Sequence, residues 1–278
     1  MSKNAATANT TSVNWSGYAV ETNIASPQSN AFTDVQATWI VPSLSPSASS
    51  KQNAYSSTWI GLDGDSSKTV EQIGIEQDYI KGQAVYYAWY EMYPKSLVKL
   101  DLVIQAGDTI SAEVKYLGNN TYQLSLEDVT SGHSSTIQVQ SSTPIRSSAE
   151  WIEEGTGRLA DFNTVTFTKA QATATLPTGT ITGSISDPAW QTEEITLVSK
   201  SGGVMAAPTS LSNDGSSFSI NFANSNHVAT LTASDGSHAA ALLGQYIASS
   251  FVTHGHAATP ASDQPATQQQ PLLAQPHA

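Results

Sequence analysis

The stretch Thr69-Val70-Glu71-Gln72-Ile73-Gly74-Ile75-Glu76 has the pattern of a β-strand. Successive side chains in a strand point to opposite faces, so Ile73 and Ile75 would face a core while Gln72 would lie on the other face with Val70 and Gly74. Similar short runs of Val, Ile, Thr, Tyr and Trp recur along the chain, separated by clusters of Gly, Pro, Asn, Asp and Ser. Helical periodicity is scarce. The chain is therefore predicted to be all-β.

These runs define thirteen predicted strands with a spacing of about 8–15 residues and turn signals between them. The strands are Asn14–Thr22, Phe32–Ile40, Tyr55–Leu62, Thr69–Ile75, Ala84–Tyr93, Leu100–Ile104, Thr109–Tyr116, Tyr122–Asp128, Ser134–Val139, Ala149–Glu153, Val165–Lys169, Glu194–Val198 and Ser217–Phe222. Hairpin corners are expected at Gly107-Asp108, Gly118-Asn119-Asn120 and Asn213-Asp214-Gly215. The spacing favours an antiparallel β-sandwich of two packed, curved sheets of the jelly-roll or concanavalin-like type.

The charge balance of the chain excludes two classes of partner. The sequence has 11 Lys and Arg against 23 Asp and Glu, which gives a net charge of −12. Nucleic acid and anionic membranes both require a basic surface, so neither is an expected partner. No apolar run approaches the roughly 18 residues that a membrane-spanning helix needs.

The residue composition suits an acidic medium. Only 12% of the residues are charged, about half of the usual share of roughly 25%. Few carboxylates means few ion pairs to lose as the pH falls, and the loss of carboxylate interactions drives most acid unfolding. The chain has no cysteine, which excludes thiol catalysis, thiolate metal sites and disulfides.

The sequence divides into four predicted segments. Residues 1–13 are expected to be a flexible N-terminal segment or propeptide remnant, with no visible signal peptide, and residues 14–222 form the β-sandwich domain. Residues 223–252 form a C-terminal extension of uncertain structure. Residues 253–278 are rich in Ala, Gln and Pro and are predicted to be disordered. His254 and His256 lie in this tail and are interpreted as solvated side chains rather than metal ligands.

Seven short motifs occur in a fixed order between residues 14 and 222. They are Asn14-Trp15-Ser16-Gly17-Tyr18-Ala19-Val20, Thr38-Trp39-Ile40-Val41-Pro42, Thr58-Trp59-Ile60-Gly61-Leu62-Asp63-Gly64, Glu71-Gln72-Ile73-Gly74, Ala88-Trp89-Tyr90-Glu91-Met92-Tyr93-Pro94, Ala149-Glu150-Trp151-Ile152-Glu153 and Phe162-Asn163-Thr164-Val165-Thr166-Phe167. Each motif is weak alone, but the ordered set resembles the glutamic peptidases (eqolisins). Unlike many members, this chain has Ile73-Gly74 after the Gln and Glu71 before it.

The resemblance implies a fold, an activity and two catalytic residues. The fold of that family is two packed antiparallel sheets, which agrees with the strand pattern. The catalytic Gln of the family corresponds to Gln72 and its catalytic Glu to Glu150. The resemblance further implies acid hydrolysis of polypeptide substrates without a cofactor or metal, by a secreted extracellular protein that we expect to be a monomer.

The chemistry of amide hydrolysis in acid explains these two residue types. A base that remains partly ionised at low pH is needed, and a carboxyl with a pKa near about 4 meets that need. Glu150 would take a proton from the attacking water and return it to the departing amine. Gln72 would donate an N–H to the developing oxyanion, which is worth roughly 3–4 kcal/mol in comparable sites. Trp151 is the expected core anchor beside Glu150. A different register, with Glu153 as the active carboxyl, remains an alternative.

Five further residues are predicted to contribute to the site. Trp39 and Trp89 are the expected lining of a substrate groove, and Gly74 would leave room for a substrate backbone. Asp63 and Glu91 are candidates for groups that support the site, with a purely structural role as the alternative.

Two other functions remain open from the sequence. Aromatic side chains on a concave sheet also stack on sugars, so a carbohydrate-binding β-sandwich is one alternative. The other is a two-carboxylate glycosidase on a similar frame, with its acids drawn from Glu71, Glu76, Glu91 and Glu150.

Overall fold

The computed structural model describes residues 7–45, 52–155 and 157–223, and these residues form an all-β domain. No helix among them is long and apolar enough to cross a membrane. The strands are β1 (Thr7–Ser12), β2 (Trp15–Glu21), β3 (Phe32–Ile40), β4 (Ser57–Leu62), β5 (Val70–Ile80), β6 (Gln83–Tyr93), β7 (Val98–Lys99), β8 (Thr109–Gly118), β9 (Thr121–Asp128), β10 (His133–Gln140), β11 (Ser148–Glu154), β12 (Thr164–Leu176), β13 (Gly179–Ser184), β14 (Gln191–Val198), β15 (Val204–Pro208) and β16 (Phe218–Phe222).

The hydrogen-bonded strands form one continuous path that folds back on itself. Its order is β10-β9-β8-β3-β12-β16-β15-β14-β2-β11-β4-β5-β6-β7, with β1 attached to β14 and β13 attached to β12. All pairs are antiparallel except the pair of β1 with β14. Strands β3 and β8 of one half pack against β4, β5 and β11 of the other. The result is the two-layered sandwich that the strand spacing predicts.

The main hydrophobic core lies between the two layers. Ile73 and Ile75 of β5 belong to it, as does Trp151 of β11, and all three are fully buried. A second, smaller cluster lies on the opposite face of the same strands and contains Val70 and Ile152. The alternation of faces predicted for both strands is therefore present in the structure.

The predicted strand at Leu100–Ile104 is wrong. The chain leaves the sheet after β7, and only the backbone N–H of Leu100 still bonds to a strand, through the carbonyl of Ala88 at 2.9 Å. Leu100 and Leu102 pack against the core without joining the ladder. The apolar residues of this run serve packing, which hydrophobic pattern alone does not distinguish from strand pairing.

The N-terminal segment also differs from its prediction. Residues 7–12, assigned to a flexible segment, form β1 and pair in parallel with β14 from Thr192 to Leu197. Their Thr-rich sequence has a weak alternation, since every second residue is only half-buried. The predicted segments beyond residue 223 lie outside the described residues.

The strand that follows, β2, lies between β14 and β11. It is fully buried along its length and contains Gly17, whose φ is +148°. A Cβ at Gly17 would collide with the backbone carbonyl of Trp151 in β11. Glycine is therefore required for the close approach of these two strands.

Candidate active site

Gln72 and Glu150 lie on one face of the sheet, two strands apart. Glu150 of β11 is directly opposite Gly61 of β4, and Gly61 is directly opposite Gln72 of β5. Directly opposed residues of antiparallel strands share a face, and neighbouring strands are about 4.8 Å apart. The two Cα atoms are thus about 10 Å apart, with a residue that lacks a side chain between them.

The intervening position tolerates little more than glycine. A Cβ at Gly61 would lie 3.0 Å from the ring atom Cζ3 of Trp59 and 3.2 Å from Cγ1 of Val70. Such contacts are tighter than ordinary van der Waals packing. The ring of Trp59 and the side chain of Val70 therefore pack over Gly61, between the positions of Gln72 and Glu150. Sequence reasoning did not single out Gly61, because its importance depends on the register of three strands.

A side chain at Gly61 is expected to block the reaction of this pair. We predict that Gly61→Ala lowers kcat/KM and that Gly61→Val lowers it further, by about 100-fold, because displacing reacting groups by about 1 Å has costs of this size. Steady-state kinetics on a peptide substrate measures the effect, and thermal unfolding of each variant checks that the fold is kept. Full activity in Gly61→Val would contradict the assignment of the site.

Both side chains are completely buried, and three of their polar atoms have no hydrogen-bond partner in the protein. These atoms are Oε1 and Oε2 of Glu150 and Oε1 of Gln72. Nearly all buried polar groups in folded proteins are hydrogen-bonded, so unpaired ones require an explanation. Both carboxyl oxygens of Glu71 and Glu76 are unpaired in the same way, so the unpaired atoms do not by themselves define a binding site.

The amide of Gln72 is oriented by Glu91. The amide nitrogen Nε2 of Gln72 donates to Oε2 of Glu91 at 2.6 Å, and the two residues are directly opposite on β5 and β6. This bond leaves the second N–H of the amide free to donate elsewhere. Burial raises the pKa of Glu91 to about 8. The hydrogen bond to Gln72 is compatible with both alternatives predicted for Glu91, a group that supports the site and a purely structural one.

The carboxyl of Glu150 is destabilised in its charged form. Burial raises its pKa well above the ordinary value, and the nearby carboxyls of Asp65 and Asp63 raise it further. Desolvation disfavours a buried negative charge, and like charges add to that cost. A carboxyl in this setting is a stronger base once ionised than a solvated one.

Aromatic side chains form the wall beside the pair. Trp59, Gly74 and Trp89 are directly opposite one another on β4, β5 and β6, one step along the same face from Gly61, Gln72 and Glu91. Trp15 packs edge-on against Trp59 with a centroid distance of 5.0 Å. The predicted position of Trp89 on this face agrees with the register.

Two of the predicted groove positions need correction. Trp39 lies in β3 of the other layer, buried in the main core against Phe167, so it does not contribute to this face. The space at Gly74 is not open to a substrate, since a Cβ there would lie 2.5 Å from Cβ of Trp59. Trp59 was the better candidate. Trp59 is two residues from Gly61 in the same motif, so both lie on the same face of β4.

Asp63 holds the chain segment that leads into β11. Its carboxylate accepts hydrogen bonds from the backbone N–H groups of Ile145 at 2.8 Å, Arg146 at 2.7 Å and Ser147 at 2.8 Å. The side chain is fully buried and both oxygens are occupied. Asp63 is therefore not available to bind substrate, and it fixes the strand that carries Glu150.

Replacement of Asp63 is expected to destabilise the fold. In Asp63→Asn the amide NH₂ would face backbone donors, and leaving a buried donor unpaired costs about 1–3 kcal/mol. We predict a decrease of about 2 kcal/mol or more in the free energy of unfolding, measured by chemical denaturation. Asp101→Asn, at an exposed position, is the control. Equal stability of the two variants would refute the anchoring role.

Glu153, the alternative candidate for the active carboxyl, does not lie on the face that carries Gln72. Glu153 lies on the opposite face of β11, where its Oε2 accepts a hydrogen bond from Oγ1 of Thr58 at 2.5 Å. Both of its oxygens also accept from Nε2 of Gln77 at 3.0 Å. Its carboxyl is engaged inside the sandwich. Among the described residues, no group of three or more His, Cys, Asp or Glu side chains is placed to hold a metal ion.

The fold belongs to a class of β-sandwich proteins with known structures. The crystal structure of scytalido-glutamic peptidase with a transition state analog inhibitor is similar with a TM-score of 0.59 and 22% identity, and the match covers 76% of this chain and 98% of that one. The crystal structure of aspergilloglutamic peptidase from Aspergillus niger is similar with a TM-score of 0.52 and 28% identity, covering 61% and 99%.

The family follows from the sequence match. The model of the Peptidase A4 family matches residues 13–233, which is more than half of the chain. The chain belongs to the peptidase A4 family. The resemblance inferred from the seven ordered motifs is thereby confirmed.

Two curated relatives are similar over part of their length. Aspergillopepsin-2 of Aspergillus niger is 36% identical over 129 residues, which is 42% of this chain and 46% of the relative. Scytalidopepsin B of Scytalidium lignicola is 33% identical over 114 residues, which is 39% and 43% respectively. The chain thus matches less than half of the length of each of these relatives.

Proposed function

We propose that this protein is an acid-active glutamic endopeptidase that hydrolyses peptide bonds in polypeptides with Glu150 and Gln72. The observation that carries the proposal is the placement of both side chains on one face across Gly61. Membership of the peptidase A4 family supports the reaction class. The names of the two curated relatives, both pepsins, support polypeptides as substrates.

The proposed reaction needs only these two side chains and water. The ionised carboxyl of Glu150 takes a proton from a water molecule, whose oxygen attacks the carbonyl carbon of the scissile bond. The carbonyl oxygen becomes an oxyanion and accepts a hydrogen bond from the free N–H of the Gln72 amide. The other N–H of this amide donates to Glu91. Glu150 then returns its proton to the amide nitrogen, the carbon–nitrogen bond breaks, and an amine and a carboxylic acid leave.

The expected pH dependence of activity follows from the ionisation of Glu150 at low pH and of two other buried carboxyls at higher pH. Glu150 must be ionised to act as a base, and its raised pKa shifts the acid limb of the rate profile above the ordinary pKa of glutamate, about 4.3. Burial also raises the pKa of Glu21 to about 7 and that of Glu91 to about 8. Ionisation of these buried groups disturbs the site at higher pH. Activity is therefore centred in the mildly acidic range.

The direct test is cleavage of an unfolded protein from about pH 4 to about pH 7, measured by the appearance of new amino termini. Cleavage that persists in a chelator supports the proposal, and its absence across the acidic range would reject it. The same preparation is assayed on soluble polysaccharides. Sugar binding or hydrolysis without proteolysis would instead favour the carbohydrate alternatives.

The family of the chain does not favour the glycosidase alternative, and the structure removes one of its four candidate acids. Glu71 is opposite Leu62 and Met92 on the face that packs between the layers, so it cannot act together with Glu91 or Glu150. Secretion, which the family resemblance implies, is part of the same proposal. Its test is detection of the protein in the culture medium of the producing cell.

A further inference from the structure

The strand β10 is the longest free edge in the described part of the chain. It has eight residues and pairs only with β9. The other edges are shorter, since β1 and β13 have six residues each and β7 has two. In an antiparallel strand about half of the backbone N–H and C=O groups point away from the single partner. These groups form a row along the outer edge of β10.

This edge lacks the usual protection against pairing. Its sequence, His133-Ser134-Ser135-Thr136-Ile137-Gln138-Val139-Gln140, contains no Lys, Arg, Asp, Glu or Pro. Its register with β9 runs without a bulge from His133 to Gln140. Natural edge strands are normally kept apart by charges, prolines, bulges or short length. An edge with none of these is suited to accept another strand.

The side chains of β10 are complementary to a second copy of the same strand. Residues opposite each other in a sheet must share a face, so an antiparallel self-pair centred on Ile137 places Ile137 against itself. The same register sets Thr136 opposite Gln138 and Ser135 opposite Val139. The half-buried residues Ser135, Ile137 and Val139 remain on the core side, and the exposed Thr136 and Gln138 remain on the outer side.

The existing contacts of β10 with β9 follow the same polar pairing. Oγ1 of Thr136 donates to Oγ of Ser125 at 3.2 Å, and Nε2 of Gln138 donates to Oε1 of Gln123 at 3.3 Å. A second copy of β10, paired with the first, would extend this row of hydroxyl and amide side chains across the interface between the two copies. Cross-strand pairs of this kind contribute about 0.2–1 kcal/mol each.

We propose that two copies of this chain associate by pairing their β10 strands antiparallel about a two-fold axis at Ile137. This pairing joins the layer that contains β8, β9 and β10 in one copy to the same layer in the other. A closed two-fold contact uses each edge once, so it ends at a dimer. An interface of eight residues per copy is small, and interfaces of this size are weak and transient. The protein is therefore expected to be a monomer in dilute solution. The net charge of −12 opposes association at neutral pH, and protonation of carboxyls in acid removes that repulsion.

Sedimentation equilibrium on the whole chain tests the proposal at about pH 5, over concentrations from about 0.01 to about 1 mM. The weight-average mass is expected to rise from monomer toward dimer. The double variant Thr136→Lys/Gln138→Lys sets like charges opposite each other across the interface and is expected to remain monomeric. The control Thr164→Lys/Thr166→Lys adds the same charge at exposed positions of the interior strand β12 and should associate like the parent.

Amide hydrogen exchange provides a readout at the strand itself. Residues of β10 are expected to become more protected at high concentration in the parent and the control, but not in the β10 variant. A chain that is monomeric throughout, or association that the β10 lysines leave unchanged, overturns the proposal. Association that both lysine pairs abolish also overturns it, since the effect would then be one of overall charge.

Discussion

Replacing Glu150 by Gln is expected to lower kcat by about 10³-fold or more, because general acid–base catalysis contributes up to about 10⁴-fold and the amide cannot accept the proton. Gln72→Ala is expected to lower kcat by about 10²- to 10³-fold through the loss of one oxyanion donor. Glutamine has the size of glutamate and fits the same buried position. KM should therefore change little in Glu150→Gln, and thermal stability should change little in acid, where the buried carboxyl is protonated.

The control for this prediction lies three residues further along the same strand. Glu153 faces the interior of the sandwich, so Glu153→Gln should keep kcat within a few-fold of the parent. The double variant Gln72→Ala/Glu150→Gln should be little worse than Glu150→Gln alone, since residues that act as a unit are not additive. If Glu150→Gln retained its activity while Glu153→Gln lost it, the assignment would be reversed.

The second large effect is a loss of stability as the pH rises from acid to slightly alkaline. Several carboxyls are buried and have raised pKa values, chiefly through desolvation: about 6 for Asp34 and Asp78, about 7 for Glu21, and about 8 for Glu91 and Glu153. Lys115 lies 3.2 Å from Asp34 and Lys99 lowers the pKa of Asp78, whereas no cation among the described residues acts on the pKa of Glu21, Glu91 or Glu153. Most of these buried acids thus have no cation to stabilise their charge.

The direction of the effect follows from proton binding. Each of these carboxyls binds its proton more tightly in the folded chain than in the unfolded chain, where the pKa is about 4. Their stabilising contribution is complete below about pH 4 and is lost as the pH rises through about 6 to 8. A loss of a few kcal/mol corresponds to a decrease of about 10 °C in Tm for a domain of this size. Calorimetry across this pH range measures it.

Glu71 provides a single-residue version of this test. It is buried between the layers, neither carboxyl oxygen has a hydrogen-bond partner, and burial raises its pKa well above the ordinary value. Glu71→Gln should have little effect at about pH 4 and should raise Tm by several degrees at about pH 8, because the buried group can no longer ionise. Glu127→Gln, at an exposed position, should leave the curve unchanged. A uniform shift at all pH values would count against the titration.

The strands were largely predictable because hydrophobic alternation is a local property. It placed Ile73 and Ile75 on one face and Gln72 on the other, and it did the same for Trp151 and Glu150. Composition led to the expectation of an acidic medium. In the structure, stability in acid instead depends on the burial of a few carboxyls. Composition gives the number of carboxyls but does not show which of them are buried.

The errors at the site share one cause, since alternation does not reveal which layer a strand joins. Trp39 and Trp89 have similar local surroundings, yet β3 and β6 belong to different layers. Gly61 and Trp59 gain their importance from the register of β4 between β5 and β11. That register joins distant parts of the chain, and no local pattern encodes it. The buried bonds of Asp63 to the segment before β11 are non-local in the same way.

The position of β2 between β14 and β11 has a consequence for biosynthesis. The face that carries Gln72 and Glu150 is completed by strands from both ends of the domain, so a nascent chain on the ribosome lacks β14 until synthesis of the domain is nearly finished. Topologies of such high contact order fold slowly and only after their last partners are available. The proposed cleavage activity would therefore emerge late, with the completed polypeptide.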